Sequence, residues 1–261
     1  MSKVEILGVY IDDLNTQEIL ERIEGFLIDG KKHQVVTVNP EFVVLSQKNE
    51  EFKKVLNKAD LAIVDGVGMV FASIIIHQKK INRVPGTDLL LKIAKLCEDK
   101  NYKMYFLGGN PSWVSAKAAN TLGRRFPHLL VASHPGPRNI SKSHKMEHAC
   151  IKATINKFKP DFLFVAYGAP HQDLWIIKNL PELDIKVAMG IGGAFNYIIG
   201  RSSRAPAILR RVGLEWLWRL FTEPRYRWRR IANAVVVFPW LVILEKVKVQ
   251  KSKIRGRIID D

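Results

Sequence analysis

The chain has 261 residues, 47% hydrophobic and 25% charged, with no run of eighteen apolar residues, so it can build a large core but carries no membrane-spanning helix. Its net charge of +16 is lopsided: residues 201–261 hold fifteen Lys or Arg against five acids, which supplies +10 and predicts a polyanionic partner, nucleic acid or anionic lipid. Cys97 and Cys150 stand far apart without CxxC spacing, which argues against a disulfide framework or a cysteine zinc site and suggests two core thiols. The N-terminus lacks an apolar signal segment, so a cytoplasmic address is expected.

Short apolar runs at 4–11, 34–38, 61–64, 102–107, 129–132, 162–166 and 186–189 read as strands. Between them, segments 16–27, 40–56, 66–77, 87–99, 111–126, 142–158 and 170–178 carry helical apolar spacing. Alternation of this kind predicts a doubly wound, mostly parallel Rossmann-like α/β sheet with helices on both faces. Asn39-Pro40, Asn110-Pro111 and Ala169-Pro170 place proline at the first helical position. After Gly200 arginine, tryptophan and leucine dominate. The expected division is therefore an α/β catalytic domain over 1–200 and a basic, Trp-rich helical appendage over 201–261.

Ligands of such sheets gather beyond the carboxyl ends of the strands, and the polar side chains fall there. Thr37-Val38-Asn39-Pro40-Glu41 carries a strand into a helix start, where Asn39 equally suits a plain cap. Val64-Asp65-Gly66-Val67-Gly68 sets an acid at a strand tip before glycines, which makes Asp65 the best catalytic candidate, with an N-cap as its bland alternative. Gly108-Gly109 and Gly190-Ile191-Gly192-Gly193 form two glycine turns. The second holds part of GxGxxG, but no acid follows about 20 residues on, so it is a weak dinucleotide signal. Gln172, in Gly168-Ala169-Pro170-His171-Gln172, suits a sugar hydroxyl, and Arg83 suits a diphosphate. His171 reads as incidental. His144 and His148 lie four apart but lack HExxH, and the absence of a DxD pair leaves metal-dependent chemistry without support.

Taken together, Thr37-Val-Asn-Pro-Glu, Val64-Asp-Gly-Val-Gly, Arg83-Val-Pro-Gly, Leu107-Gly-Gly, Gly168-Ala-Pro-His-Gln, Gly190-Ile-Gly-Gly-Ala-Phe and Arg204-Ala-Pro resemble the WecG/TagA/CpsF glycosyltransferases. The likeness continues through Gly213-Leu-Glu-Trp-Leu-Trp and Glu223-Pro-Arg-Tyr. The resemblance implies an inverting transferase that moves N-acetylmannosamine or its uronic acid from a UDP-sugar to a polyprenyl-diphosphate-linked saccharide, in cell-surface polysaccharide or teichoic acid synthesis. It makes Asp65 the general base, with Thr37 and Asn39 beside it. Gln172 and Arg83 would hold substrate or diphosphate, and the Gly192-Gly193 turn with Phe195 would face the nucleotide. It further implies a homo-oligomer and a tail that closes over the site. No metal or other cofactor is expected from the residues, the UDP-sugar being a substrate.

The tail mixes aromatic and basic side chains, as lipid interfaces favour. Arg210, Arg211, Trp218, Arg225, Arg227, Trp228, Arg229 and Arg230 are the expected contacts with an anionic membrane. The apolar stretch 231–244, broken by Asn233 and Pro239, is too short to span and reads as interfacial or re-entrant. The expected location is thus peripheral, on the inner face of the cell membrane. Two other readings compete: a nucleic-acid-binding module, which leaves Asp65 and the strand-end turns unexplained, and a Rossmann-type oxidoreductase, which rests on incomplete glycine spacing alone.

Overall fold

The computed structural model describes residues 3–202 and 230–260, with single positions at 205, 206, 209, 217, 218, 221 and 228, and side chains as far as 251. Six strands form one parallel sheet: β3 (His33–Val38), β4 (Leu61–Val64), β5 (Lys103–Gly108), β6 (Leu130–His134), β7 (Phe162–Ala166) and β8 (Val187–Gly190), in the order β4-β3-β8-β7-β5-β6. The expected α/β fold is therefore found. Strands β3, β4 and β8 are buried along their whole length, which is why they read as continuous apolar runs rather than alternating ones. The chain builds the β3–β4 edge, crosses to β5 and β6, and returns to fill the middle with β7 and β8. Register pairs Val38 with Val64 and Val165 with Gly190, which aligns the carboxyl ends along one rim.

The run at 4–11 is not a single strand of this sheet. It folds into an antiparallel hairpin, β1 (Lys3–Ile6) and β2 (Val9–Asp12), turning at Leu7 and Gly8 with φ of 54° and 76°. Two successive positive φ values are what a two-residue hairpin turn of the right twist requires, and Gly8 supplies one at no steric cost. The hairpin is tied to the main sheet by Asp12, whose carboxylate accepts the Ala62 N–H at 2.8 Å.

The helices are α1 (Thr16–Ile28), α2 (Pro40–Ser46), α3 (Glu50–Lys58), α4 (Val67–His77), α5 (Gly86–Lys100), α6 (Val114–Arg125), α7 (Lys145–Phe158), α8 (His171–Asn179) and α9 (Ala194–Ile198). The single helix expected over 40–56 is split, because the Asn49 side chain accepts the Phe52 N–H at 2.9 Å and caps a new start. Of the three prolines expected to open helices, only Pro40 does. Pro170 sits one residue before α8 and Pro111 three before α6, each after a cis peptide bond.

One core face joins α1, α5, α6 and α9 to the sheet, and the other carries the hairpin, α2, α3 and α4. Cys97 is buried as expected, but Cys150 is exposed, since α7 turns Ile151 and Ile155 inward. Residues 231–244 are helical: a π segment (Asn233–Val237) runs into α10 (Phe238–Asp260). Phe238 and Val242 are fully buried in the α4 core cluster, so this helix is a layer of the fold. Among the described residues no helix is long and apolar enough to cross a membrane.

Candidate active site at the carboxyl ends of the strands

Asp65 follows the last residue of β4, and its N–H donates to Val38 O of the neighbouring strand at 2.8 Å, so the ladder itself fixes where the carboxylate emerges. Val84 N–H donates to Val64 O at 2.9 Å, which holds the segment bearing Arg83 against the same strand end. A methyl group on Gly86 would stand 3.1 Å from Thr37 Cγ2 and 3.8 Å from an Asp65 carboxylate oxygen. The start of α5 therefore closes over both side chains. Thr37 is only 6% exposed, and its hydroxyl reaches the Gly190 carbonyl on β8 at 3.4 Å. Asn39 caps α2, its side-chain oxygen accepting Phe42 N–H at 3.0 Å, so the bland alternative holds for that oxygen.

Gly190 is the pivot of the next layer. No side chain fits there, because a Cβ would strike Gln172 Nε2 at 2.5 Å and the Asp173 carboxylate. Gln172 is buried rather than displayed on the rim, and its Oε1 accepts the Gly192 N–H at 2.9 Å. It thereby shapes the glycine turn. Gly192 and Gly193 have open space where a Cβ would point, and Gly192 has φ of 50°, so this turn presents bare backbone to the cleft. Phe195 does not face the cleft. Its ring lies 4.5 Å from that of Phe106 and is part of the core, because α9 turns it down onto β5.

The other glycine turn is shaped by Tyr167. Gly109 N–H donates to Ala166 O at 3.1 Å, and Cβ atoms on Gly108 or Gly136 would meet the Tyr167 ring at 2.8 Å and 2.6 Å. The ring is thus wedged between two backbones of positive φ. Burial pushes its phenol pKa far above the ordinary range. His134 accepts the Gly136 N–H on Nδ1 at 2.9 Å, and burial lowers its pKa. Beside this turn Trp113 is half exposed, with the Arg201 guanidinium 5.6 Å from the ring centroid and donating to Asn110 O at 3.2 Å.

Base candidate, cationic segment and two glycine turns thus share one rim, the Gly192–Gly193 turn bare and the Gly108–Gly109 turn packed on Tyr167 and Val114. Residues 4–252 match the model of the glycosyl transferase WecG/TagA/CpsF family. The chain belongs to this family. Relatives include the N-acetylglucosaminyldiphosphoundecaprenol N-acetyl-beta-D-mannosaminyltransferases of Staphylococcus aureus strains MRSA252 and NCTC 8325. Each is 30% identical over 256 residues, 97% of this chain and 96% of the relative. Membership in the WecG/TagA/CpsF family makes the protein a glycosyltransferase, in place of the nucleic-acid and oxidoreductase readings.

In this family member the tail returns to the rim. Arg230 forms a bidentate pair with Glu41 in the first turn of α2, at 2.7 Å from Nε and 2.8 Å from Nη2. Arg230 was expected at the membrane. It is paired beside Asn39, because Glu41 offers a partly buried carboxylate in the right fork geometry. Trp218 is half-buried and Trp228 exposed, while Arg210, Arg211, Arg225, Arg227 and Arg229 lie outside the described residues. Of the two helix histidines, His144 stands exposed at the N-cap position of α7 without a side-chain capping bond, and His148 accepts the Trp175 indole N–H at 3.0 Å.

Proposed function

We propose that the protein transfers N-acetylmannosamine, or its uronic acid, from a UDP-sugar to a polyprenyl-diphosphate-linked saccharide at the inner face of the membrane, in cell-surface polysaccharide or teichoic acid synthesis. The observation that carries this reading is Asp65 at the tip of β4, beside Thr37 and the start of α5, on the strand-end rim that Thr37 shares with Gly190 of β8. The names of the staphylococcal relatives, which act on an undecaprenyl-diphosphate acceptor, support the acceptor class. In an inverting displacement the acceptor hydroxyl attacks the anomeric carbon as UDP leaves with the bonding pair, and Asp65 takes the hydroxyl proton. Such a base contributes ~10² to 10⁴ in rate. Arg83 and the exposed Gly193 of the second glycine turn would offset charge on the departing diphosphate.

The test is Asp65→Asn in a radiolabel transfer assay with UDP-N-acetylmannosamine and a polyprenyl-diphosphate-linked N-acetylglucosamine. Transfer should fall by ~10² or more while UDP affinity by calorimetry stays within about twofold. Undiminished turnover would remove Asp65 from the mechanism.

A further inference from the structure

Helix α4 is apolar nearly all round. Met69, Ala72 and Ile76 lie in the core, yet Phe71, Ile74 and Ile75 on the opposite side are between 42% and 55% exposed. A helix with no polar face is normally buried on every side. Its neighbour repeats the pattern. Helix α10 docks through Phe238 and Val242, and Phe238 lies 3.7 Å from where a Cβ on Gly68 at the start of α4 would stand. On its outer side Trp240, Ile243 and Val247, spaced for one helical stripe, are between 42% and 61% exposed. Among the described residues, two packed helices thus each leave an apolar stripe uncovered, more than scattered surface residues account for.

We propose that these two stripes form one surface that inserts into the interfacial layer of an anionic bilayer, with α4 of the α/β domain as a membrane contact in its own right. This rests on the lipid-linked acceptor of the proposed function. Charge selects lipid over a second copy of the chain. Lys80 follows α4, and Lys246, Lys248 and Lys251 continue along α10 with Glu245 as the acid among them. A two-fold interface would lay that basic border against its own copy, whereas an anionic leaflet complements it. The position of the catalytic candidate makes the same demand. Asp65 stands two residues before α4 begins, and Phe71 follows one turn later, about 6 Å along the axis. Seating Phe71 in the interface would hold Asp65 just above it, where the first sugar of a polyprenyl diphosphate emerges.

The experiment is co-sedimentation of the full-length protein with phosphatidylcholine vesicles, with and without phosphatidylglycerol. The variants are Phe71→Glu with Ile75→Glu on α4, Trp240→Glu on α10, and Met146→Glu as an exposed apolar control elsewhere. Thermal melts establish that each is folded. The α4 and α10 variants should each bind phosphatidylglycerol vesicles at least tenfold more weakly, with the control unchanged. Transfer to a short-chain, water-soluble acceptor should be unaltered in all of them. That last readout separates the two ideas: wild-type protein that binds vesicles through this face but transfers nothing would refute the proposed reaction and leave the surface standing. Undiminished vesicle binding by a folded α4 variant would overturn the surface. So would a wild-type dimer in sedimentation velocity that the α4 variant turns into monomer without loss of vesicle binding, since the stripes would then cover a second copy.

Discussion

Asp173 shows what burial does to one residue beside the rim. It is fully buried, and neither carboxylate oxygen has a hydrogen-bond partner among the described residues. Burial raises its pKa from the ordinary 3.8 to about 7, offset only in part by the nearby Gln172 amide. Between those values the folded chain keeps a proton that the unfolded chain has released. Stability from this group is therefore fully present below pH 3.8, falls as pH rises toward 7, and levels off above it. Asp173→Asn removes the titration while keeping the size. Urea midpoints at pH about 5 and about 8 should accordingly lie closer together in the variant, by no more than about 3 kcal/mol of stability, since about two pH units of the titration fall in that window. Parallel pH profiles for the two proteins would show that Asp173 is ionised or relieved in the native state.

At the scale of elements, the pair between Arg230 and Glu41 decides how the C-terminal segment meets α2. Its partners are 189 residues apart and partly exposed, so its energy is discounted for solvent to about 1 kcal/mol. Its leverage lies in position, because Glu41 is two residues from Asn39. Glu41→Gln and Arg230→Gln should each leave the melting temperature within a few degrees but raise the KM for the lipid-linked acceptor. The double variant should be no worse than either single one. Additive losses in that cycle would mean that the two side chains act separately. This pair also marks a limit of what the sequence displays. Buried parallel strands announce themselves as apolar runs, and a candidate acid at a strand tip is visible because Asp65 interrupts such a run before glycine. The hairpin was hidden because Val4, Ile6, Val9 and Ile11 keep an unbroken apolar rhythm across a turn signalled only by Gly8. The split between α2 and α3 is signalled by Asn49 alone, a weak mark inside a stretch of helical apolar spacing. Nothing local distinguishes Phe195, a core ring, from a rim aromatic, nor reveals that Asp173 beside Gln172 is buried. Those facts depend on which distant strand the chain meets.

Across the whole molecule, attraction to a bilayer has two sources that salt can separate. Of the +16 net charge, +10 lies after residue 200, and each basic residue near an anionic leaflet adds about 1 kcal/mol. That term is screened, since the Debye length shrinks from about 10 Å at 0.1 M salt to about 3 Å at 1 M. The apolar stripes of α4 and α10 contribute a term that salt does not weaken. Binding of the wild-type chain to phosphatidylglycerol vesicles should therefore fall as salt is raised and settle at a residual level rather than at zero. The Phe71→Glu, Ile75→Glu protein should share the initial fall, because its tail charges are intact, and lack the residual level. Co-sedimentation across a salt series reads both features. Wild-type binding that vanishes at high salt would assign the attraction to charge alone, and would return the apolar stripes to the surface of the fold without a bilayer to cover them.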